Sequence, residues 1–238
     1  MEKLRAKELA VFSFDLDGTL VSQGFADCVW LRGVPEAYAA KQGLSFEQAF
    51  EFVKSRYDRV GEERVEWYKI DYWLREFGLE GEVTREELFR RCEGEVRIYE
   101  ETEGVLRVLK EAGFELVVCS NAPTEFVEFQ IRGIKKFFSH TFSATSDFGA
   151  VKKSNGFYER VCEILGVEPQ AVVHTGDHWV FDFLNPRKIG MNSFFLERSR
   201  SKGRSGERRG VRSGRKEEEF VLTDLRGVLW ALDLENEK

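Results

Sequence analysis

Two carboxylates, Asp15 and Asp17, sit one residue apart at the end of an apolar run, Val11-Phe12-Ser13-Phe14, and are followed by Gly18-Thr19-Leu20. If the run is a strand that continues through them, both side chains project to the same face. Two charges about 4 Å apart repel by about 4 kcal/mol at an effective dielectric near 20. A proton, a basic side chain or a metal cation must offset that. Further along, Ser120-Asn121, Lys152, and Asp177 with Asp182 each follow a short apolar run. Phosphoryl transfer suits such a set. Asp15 is the candidate nucleophile and Asp17 the candidate proton donor for the leaving oxygen. Ser120 and Lys152 are donors for phosphoryl oxygens. Hard oxygen ligands and a phosphate partner point to Mg²⁺, held by Asp15, Asp177 and a backbone carbonyl, with Asp182 in support.

The elements that must position these residues read as follows. Val11–Phe14 resembles a fully buried parallel strand. From Ser22 to about Ile98 the pattern is helical. Ser45-Phe46-Glu47-Gln48 and Thr84-Arg85-Glu86-Glu87 are capping boxes. An aromatic helix is expected over 65–77, with Gly78 as its stop. Strands and helices then alternate: helix 105–112, strand 114–119, helix 124–132, strand 140–144, helix 157–165, strand 171–175 and strand 193–196. A last strand and helix follow over 220–232. That rhythm implies a Rossmann-like parallel sheet with helices on both faces. Residues 1–21 and 99–238 would form this α/β core, and 22–98 a small all-helical cap. In open sheets of this kind, ligands bind beyond the carboxyl ends of the strands, where the candidate residues collect.

Taken together, the motifs resemble the haloacid dehalogenase superfamily. Asp15-Leu16-Asp17-Gly18-Thr19-Leu20 is similar to its first motif, Ser120-Asn121 to its second and Lys152 to its third. Gly176-Asp177-His178-Trp179-Val180-Phe181-Asp182 is similar to its fourth. The resemblance implies a C1-type helical cap and an aspartyl-phosphate on Asp15, with Asp17 as acid and then base. It implies phosphate binding by Ser120, Asn121 and Lys152. It also implies Mg²⁺ held by Asp15, the Asp17 carbonyl and Asp177, supported by Thr19 and Asp182. Motif three departs from the usual Lys-Pro, so Lys153 rivals Lys152. The implied activity is hydrolysis of small phosphate monoesters, phosphoglycolate phosphatase-like. A phosphomutase and a non-catalytic binding protein are the alternatives.

Composition bounds the rest. The 238 residues carry a net charge of −6, which does not suit a nucleic-acid binder. The expected partner is a small phosphorylated metabolite. The one contrary feature is the basic segment 198–216, nine cations with Glu207 as its only acid. No apolar stretch has the length of a membrane span, and a cytoplasmic location is expected. Cys28, Cys92, Cys119 and Cys162 show no C-x-x-C spacing and read as buried thiols. His174 reads as a packed histidine, and the aromatics of 22–98 as helix–helix core.

Overall fold

The computed structural model describes residues 4–153, 156–198 and 218–234. Six strands form one sheet in the order β3-β2-β1-β4-β5-β6. They are β1 (Val11–Phe14), β2 (Glu115–Ser120), β3 (His140–Ser143), β4 (Val172–Gly176), β5 (Asn192–Leu196) and β6 (Val221–Leu222). Every pairing is parallel. The first strand is central, so Phe14 lies between Val118 of β2 and Thr175 of β4. Carboxylates leaving its end therefore meet chain ends from both neighbours.

Helices cover both faces. They are α1 (Gly24–Cys28), α2 (Val34–Gln42), α3 (Phe46–Val60), α4 (Ile70–Glu76), α5 (Arg85–Cys92), α6 (Thr102–Glu111), α7 (Thr124–Gln130), α8 (Ala144–Asp147), α9 (Phe157–Leu165), α10 (Asn185–Lys188) and α11 (Arg226–Ala231). Strand alternation divides the core. Phe12, Phe14, Leu116 and Val118 pack with Leu106 and Leu109 of α6, Val127 of α7 and Val228 of α11. Val11, Val117 and Val172 pack on the other face with Phe157, Val161 and Cys162 of α9. Among the described residues no helix is long and apolar enough to cross a membrane.

Six of these helices fall between β1 and β2, and the first five, α1 to α5, stand apart from the sheet core. These five bury an apolar cluster of their own, with Phe25, Val34, Val53, Ile70, Trp73 and Leu88 at its centre. Phe126 of α7 joins that cluster from the sheet side. Both expected capping boxes are formed. The Gln48 N–H donates to Ser45 Oγ at 3.3 Å, and the Thr84 N–H donates to Glu87 Oε2 at 2.7 Å.

Two sequence expectations fail in this region. The aromatic helix is broken: a tight turn over Val65–Tyr68 precedes α4, and Lys69 between them is extended. The break separates two jobs, because Trp73 enters the core while Trp67 and Tyr68 line the cavity described below. Cys28 and Cys92 are not thiols. They form a disulfide between the ends of α1 and α5, across a sequence separation of 64. Spacing did not reveal it because the two meet only through the packing of the helices. Cys119 and Cys162 are buried free thiols, as expected. The basic segment 198–216 lies outside the described residues, except for Arg198.

Candidate active site

The strand ends build the site. After Phe14 the chain delivers Asp15, whose N–H still donates to the Thr175 carbonyl of β4 at 2.9 Å. It then turns tightly instead of continuing as a strand: the N–H groups of Thr19, Leu20 and Val21 all donate to the Leu16 carbonyl. Gly18 takes a φ of +79°, and a Cβ there would lie 2.1 Å from Asp177 Oδ2. That close approach of the first turn to the end of β4 admits only glycine. Gly176 serves a similar purpose for the fourth motif, since its Cβ would lie 2.4 Å from Asp182 Cγ.

The lysine of the site is Lys153. Its ammonium lies 2.5 Å from Asp15 Oδ1 and 2.5 Å from Asp182 Oδ1, with the side chain 1% exposed. Lys152 points outward and pairs with Glu62 at 3.0 Å and with Glu63. The structure thus corrects the expectation for Lys152 in favour of its neighbour. The cause is backbone geometry. Lys152 and Lys153 have φ of +59° and +43°, and two consecutive left-handed residues redirect the chain in a way that side-chain chemistry does not encode. Two asparagines fix the result. Asn121 Oδ1 accepts from the Lys153 N–H at 2.9 Å, and Asn185 Nδ2 donates to the Lys153 carbonyl at 3.3 Å. Asn121, expected to bind phosphate, therefore also holds the lysine loop. Ser120 reaches the site at the end of β2, its Oγ accepting from the Ala122 N–H at 3.1 Å.

Behind the carboxylates lies a chain of buried polar contacts. His174 in β4 bridges Ser13 Oγ at 2.8 Å and Asp182 Oδ1 at 3.2 Å. Burial lowers its pKa, against the pull of Asp182 in the other direction. Asp182 Oδ2 also accepts from the His178 N–H at 2.9 Å. His174, expected as a packed histidine, also orients Asp182. Its placement comes from the pairing of β4 with β1, which sets His174 beside Ser13 and is not written in neighbouring residues.

Electrostatics distinguish the four aspartates. Burial pushes Asp17 up to about 6; Asp27 adds to this, while Lys153 opposes it. Asp17 Oδ1 and both amide atoms of Gln130 are buried with no hydrogen-bond partner among the described residues. Thr19 Oγ1 is in the same state. Burial raises Asp15 well above the usual carboxylate range against the pull of Lys153, and raises Asp177 to about 7, with Asp182 adding to both. Asp182 is held low: burial opposes its charge, but Lys153 and His174 outweigh it.

Asp15, Asp177 and Asp182 each offer a carboxylate oxygen within 4.8 Å of the others. One lysine does not neutralise three such groups. A hard divalent cation fits the donor set, since it would charge Asp15 and Asp177 and leave Lys153 on Asp182. These groups open into a cavity of about 320 Å³. Its floor includes Asp15, Asp17, Ser120, Asn121, Lys153 and Asp177, and its roof Gln23, Asp27, Trp30, Trp67 and Tyr68. Some of the aromatics expected to be core thus reach the cavity, which lies between the α1–α5 helices and the sheet edge.

Known proteins bear on this geometry. A model of the haloacid dehalogenase-like hydrolase family matches residues 9–184. The GMP/IMP nucleotidase YrfG of Escherichia coli (strain K12) is 27% identical over 165 residues, which span 68% of this chain and 72% of that protein. In fold, the chain is similar to an HAD phosphatase from Thermococcus onnurineus, with a TM-score of 0.74 at 23% identity over 93% of this chain and 96% of that one. It is also similar to a predicted phosphoglycolate phosphatase from Haemophilus somnus 129pt, with a TM-score of 0.60 at 20% identity over 94% and 97%.

Proposed function

This chain belongs to the haloacid dehalogenase-like hydrolases, and on that premise we propose that it is a Mg²⁺-dependent phosphatase that cleaves small phosphate monoesters through an aspartyl-phosphate on Asp15. The observation that carries the reading is the buried bridge of Lys153 between Asp15 and Asp182, with Asp17 and Asp177 opening into the same cavity. A structural ion pair needs no second acid beside it and no cavity above it.

In the first step an Asp15 carboxylate oxygen attacks phosphorus and the bond to the ester oxygen breaks. Asp17 gives its proton to that oxygen, which leaves as an alcohol. Raised to about 6 by burial, Asp17 is closer to the working range of a proton donor than an ordinary carboxylate. In the second step Asp17 takes a proton from water as the water oxygen attacks phosphorus. The Asp15–phosphorus bond breaks, inorganic phosphate departs and Asp15 is regenerated. Ser120, the Asn121 amide and Lys153 hold the phosphoryl oxygens. Mg²⁺, held by Asp15, the Asp17 carbonyl and Asp177, would offset the charge between carboxylate and phosphate when bound. Asp182, tied to His174 and the His178 N–H, keeps Lys153 in place.

Residues 22–98 act as the cap in this reading, and the separate apolar cluster of α1–α5 supports that division. A cytoplasmic location and a small phosphorylated metabolite as partner belong to the same proposal. The names of the relatives span two kinds of leaving group: nucleosides in the nucleotidase and glycolate in the predicted phosphoglycolate phosphatase. The test is hydrolysis of p-nitrophenyl phosphate. We expect turnover that needs Mg²⁺ and disappears in Asp15→Asn. Turnover that survives chelation or that substitution overturns the mechanism. A requirement for a bisphosphorylated sugar primer would move the assignment to a phosphomutase.

A further inference from the structure

Over the candidate catalytic floor, the cap presents an unusual wall. Asp27 on α1 lines the cavity beside Gln23, Trp30 and Trp67, with Phe126 and Phe181 on the core side. No hydrogen bond or ion pair engages the Asp27 carboxylate among the described residues. It shares the cavity with Asp17, the proposed proton donor for the leaving oxygen. The sole cation among the described lining residues is Lys153, and both of its neighbours, Asp15 and Asp182, are already anionic partners. Lys152 is outside the lining and engaged by Glu62 and Glu63. The cap side of the cavity thus offers one carboxylate and the Gln23 amide among aromatic rings.

We propose that Asp27 is a specificity-determining residue that selects uncharged, donor-bearing, planar leaving groups, nucleosides above all, and rejects leaving groups that carry a carboxylate or a second phosphate. The inference rests on the phosphatase reading of the same site. An ionised carboxylate only accepts hydrogen bonds, so ribose hydroxyls and ring N–H groups suit it. Like charge facing like charge in a partly desolvated pocket weakens binding, and no lining cation offsets it here. Trp30, stacked on Phe126, and Trp67 border the cavity with aromatic surface suited to a heteroaromatic ring. Glycolate offers neither the donors nor the plane, and it brings the wrong charge.

The test compares guanosine 5′-monophosphate, phosphoglycolate and p-nitrophenyl phosphate, with the full chain and Mg²⁺. For the unaltered protein, kcat/KM for the nucleotide should exceed that for phosphoglycolate by roughly tenfold or more. Asp27→Asn should narrow that ratio. Asp27→Lys should reverse it, mainly through KM. Asp27 is at the surface of its helix, so neither change empties a core. Phosphoglycolate as the better substrate, or a ratio that both substitutions leave unchanged, overturns this proposal alone, provided p-nitrophenyl phosphate is hydrolysed. No hydrolysis of any of the three overturns the phosphatase reading and this proposal with it.

Discussion

Lys153 Nζ lies 2.5 Å from Asp182 Oδ1, and each of the two side chains is 1% exposed. With Asp15 on the other side of the ammonium, three ionisable groups share one largely buried space. Such a cluster is stable only while it is complete. Removing one partner of a buried ion pair costs about 3–5 kcal/mol, because the other charge is left uncompensated.

The first prediction contrasts adjacent lysines. Lys153→Met should lower unfolding free energy by about 3–5 kcal/mol and abolish hydrolysis. Lys152→Met breaks only exposed pairs with Glu62 and Glu63, so it should cost no more than about 1 kcal/mol. It should retain turnover. Urea denaturation and p-nitrophenyl phosphate kinetics on both variants decide the matter. Loss of activity in Lys152→Met alone would falsify the assignment.

A second prediction concerns pH and metal removal. In the metal-free protein, burial raises Asp177 to about 7 and Asp17 to about 6. In the unfolded chain both ionise near pH 4. Between these values the folded state binds more protons than the unfolded state, so these two groups make stability fall as pH rises from about 4 to about 7; Asp15, also raised, adds to the fall, while His174, lowered by burial, opposes it below about pH 6.5. Mg²⁺ competes with the Asp177 proton, so the thermal shift it produces should grow over the same window. Melting curves at a series of pH values, with chelator and with Mg²⁺, check both signs. A metal-free protein that gains stability from pH 5 to 7 contradicts the account.

The disulfide gives a third. Closing a loop of this length removes chain entropy worth about 4 kcal/mol at most. Cys28→Ala with Cys92→Ala should therefore lower stability by about 2–4 kcal/mol. The denatured, unreduced chain should present two titratable thiols, Cys119 and Cys162, and four after reduction. Four thiols before reduction would show that the bond does not form.

A fourth follows from Arg198. Its guanidinium donates to the Gly18 carbonyl at 3.1 Å and the Thr19 carbonyl at 2.6 Å, and pairs with Glu101 at 2.7 Å. It also stacks on Tyr99 at 3.5 Å. Those carbonyls belong to the turn that follows Asp17, so Arg198 fixes the backbone beside the proposed proton donor. Arg198→Ala should reduce kcat about tenfold or more with little change in KM, because a misplacement of about 1 Å can cost 10²-fold. Lysine at this position should restore little, since it lacks the planar fork. Steady-state kinetics on both variants test this; a change confined to KM points elsewhere.

Much of this protein is legible in its sequence. Apolar runs set the strands, capping boxes start α3 and α5, and glycines at tight approaches mark the turns. The order of Asp15, Asp17, Ser120, Asn121, Asp177 and Asp182 along the chain also identified the strand edge where they gather. Such features are local: hydrophobic period, turn chemistry and short spacing are written in neighbouring residues. Tertiary structure decided what depends on distant contacts. Lys153 rather than Lys152 meets Asp15 because two left-handed residues turn the chain and two asparagines, 32 positions away on either side, hold it there. His174 links Ser13 to Asp182 because β4 pairs with β1 in one register and the chain after β4 folds back over it. Cys28 finds Cys92, and Asp27 finds the cavity, only once five helices pack over the sheet. Adjacent lysines are chemically alike, and only the surrounding fold gives one the site and the other the solvent.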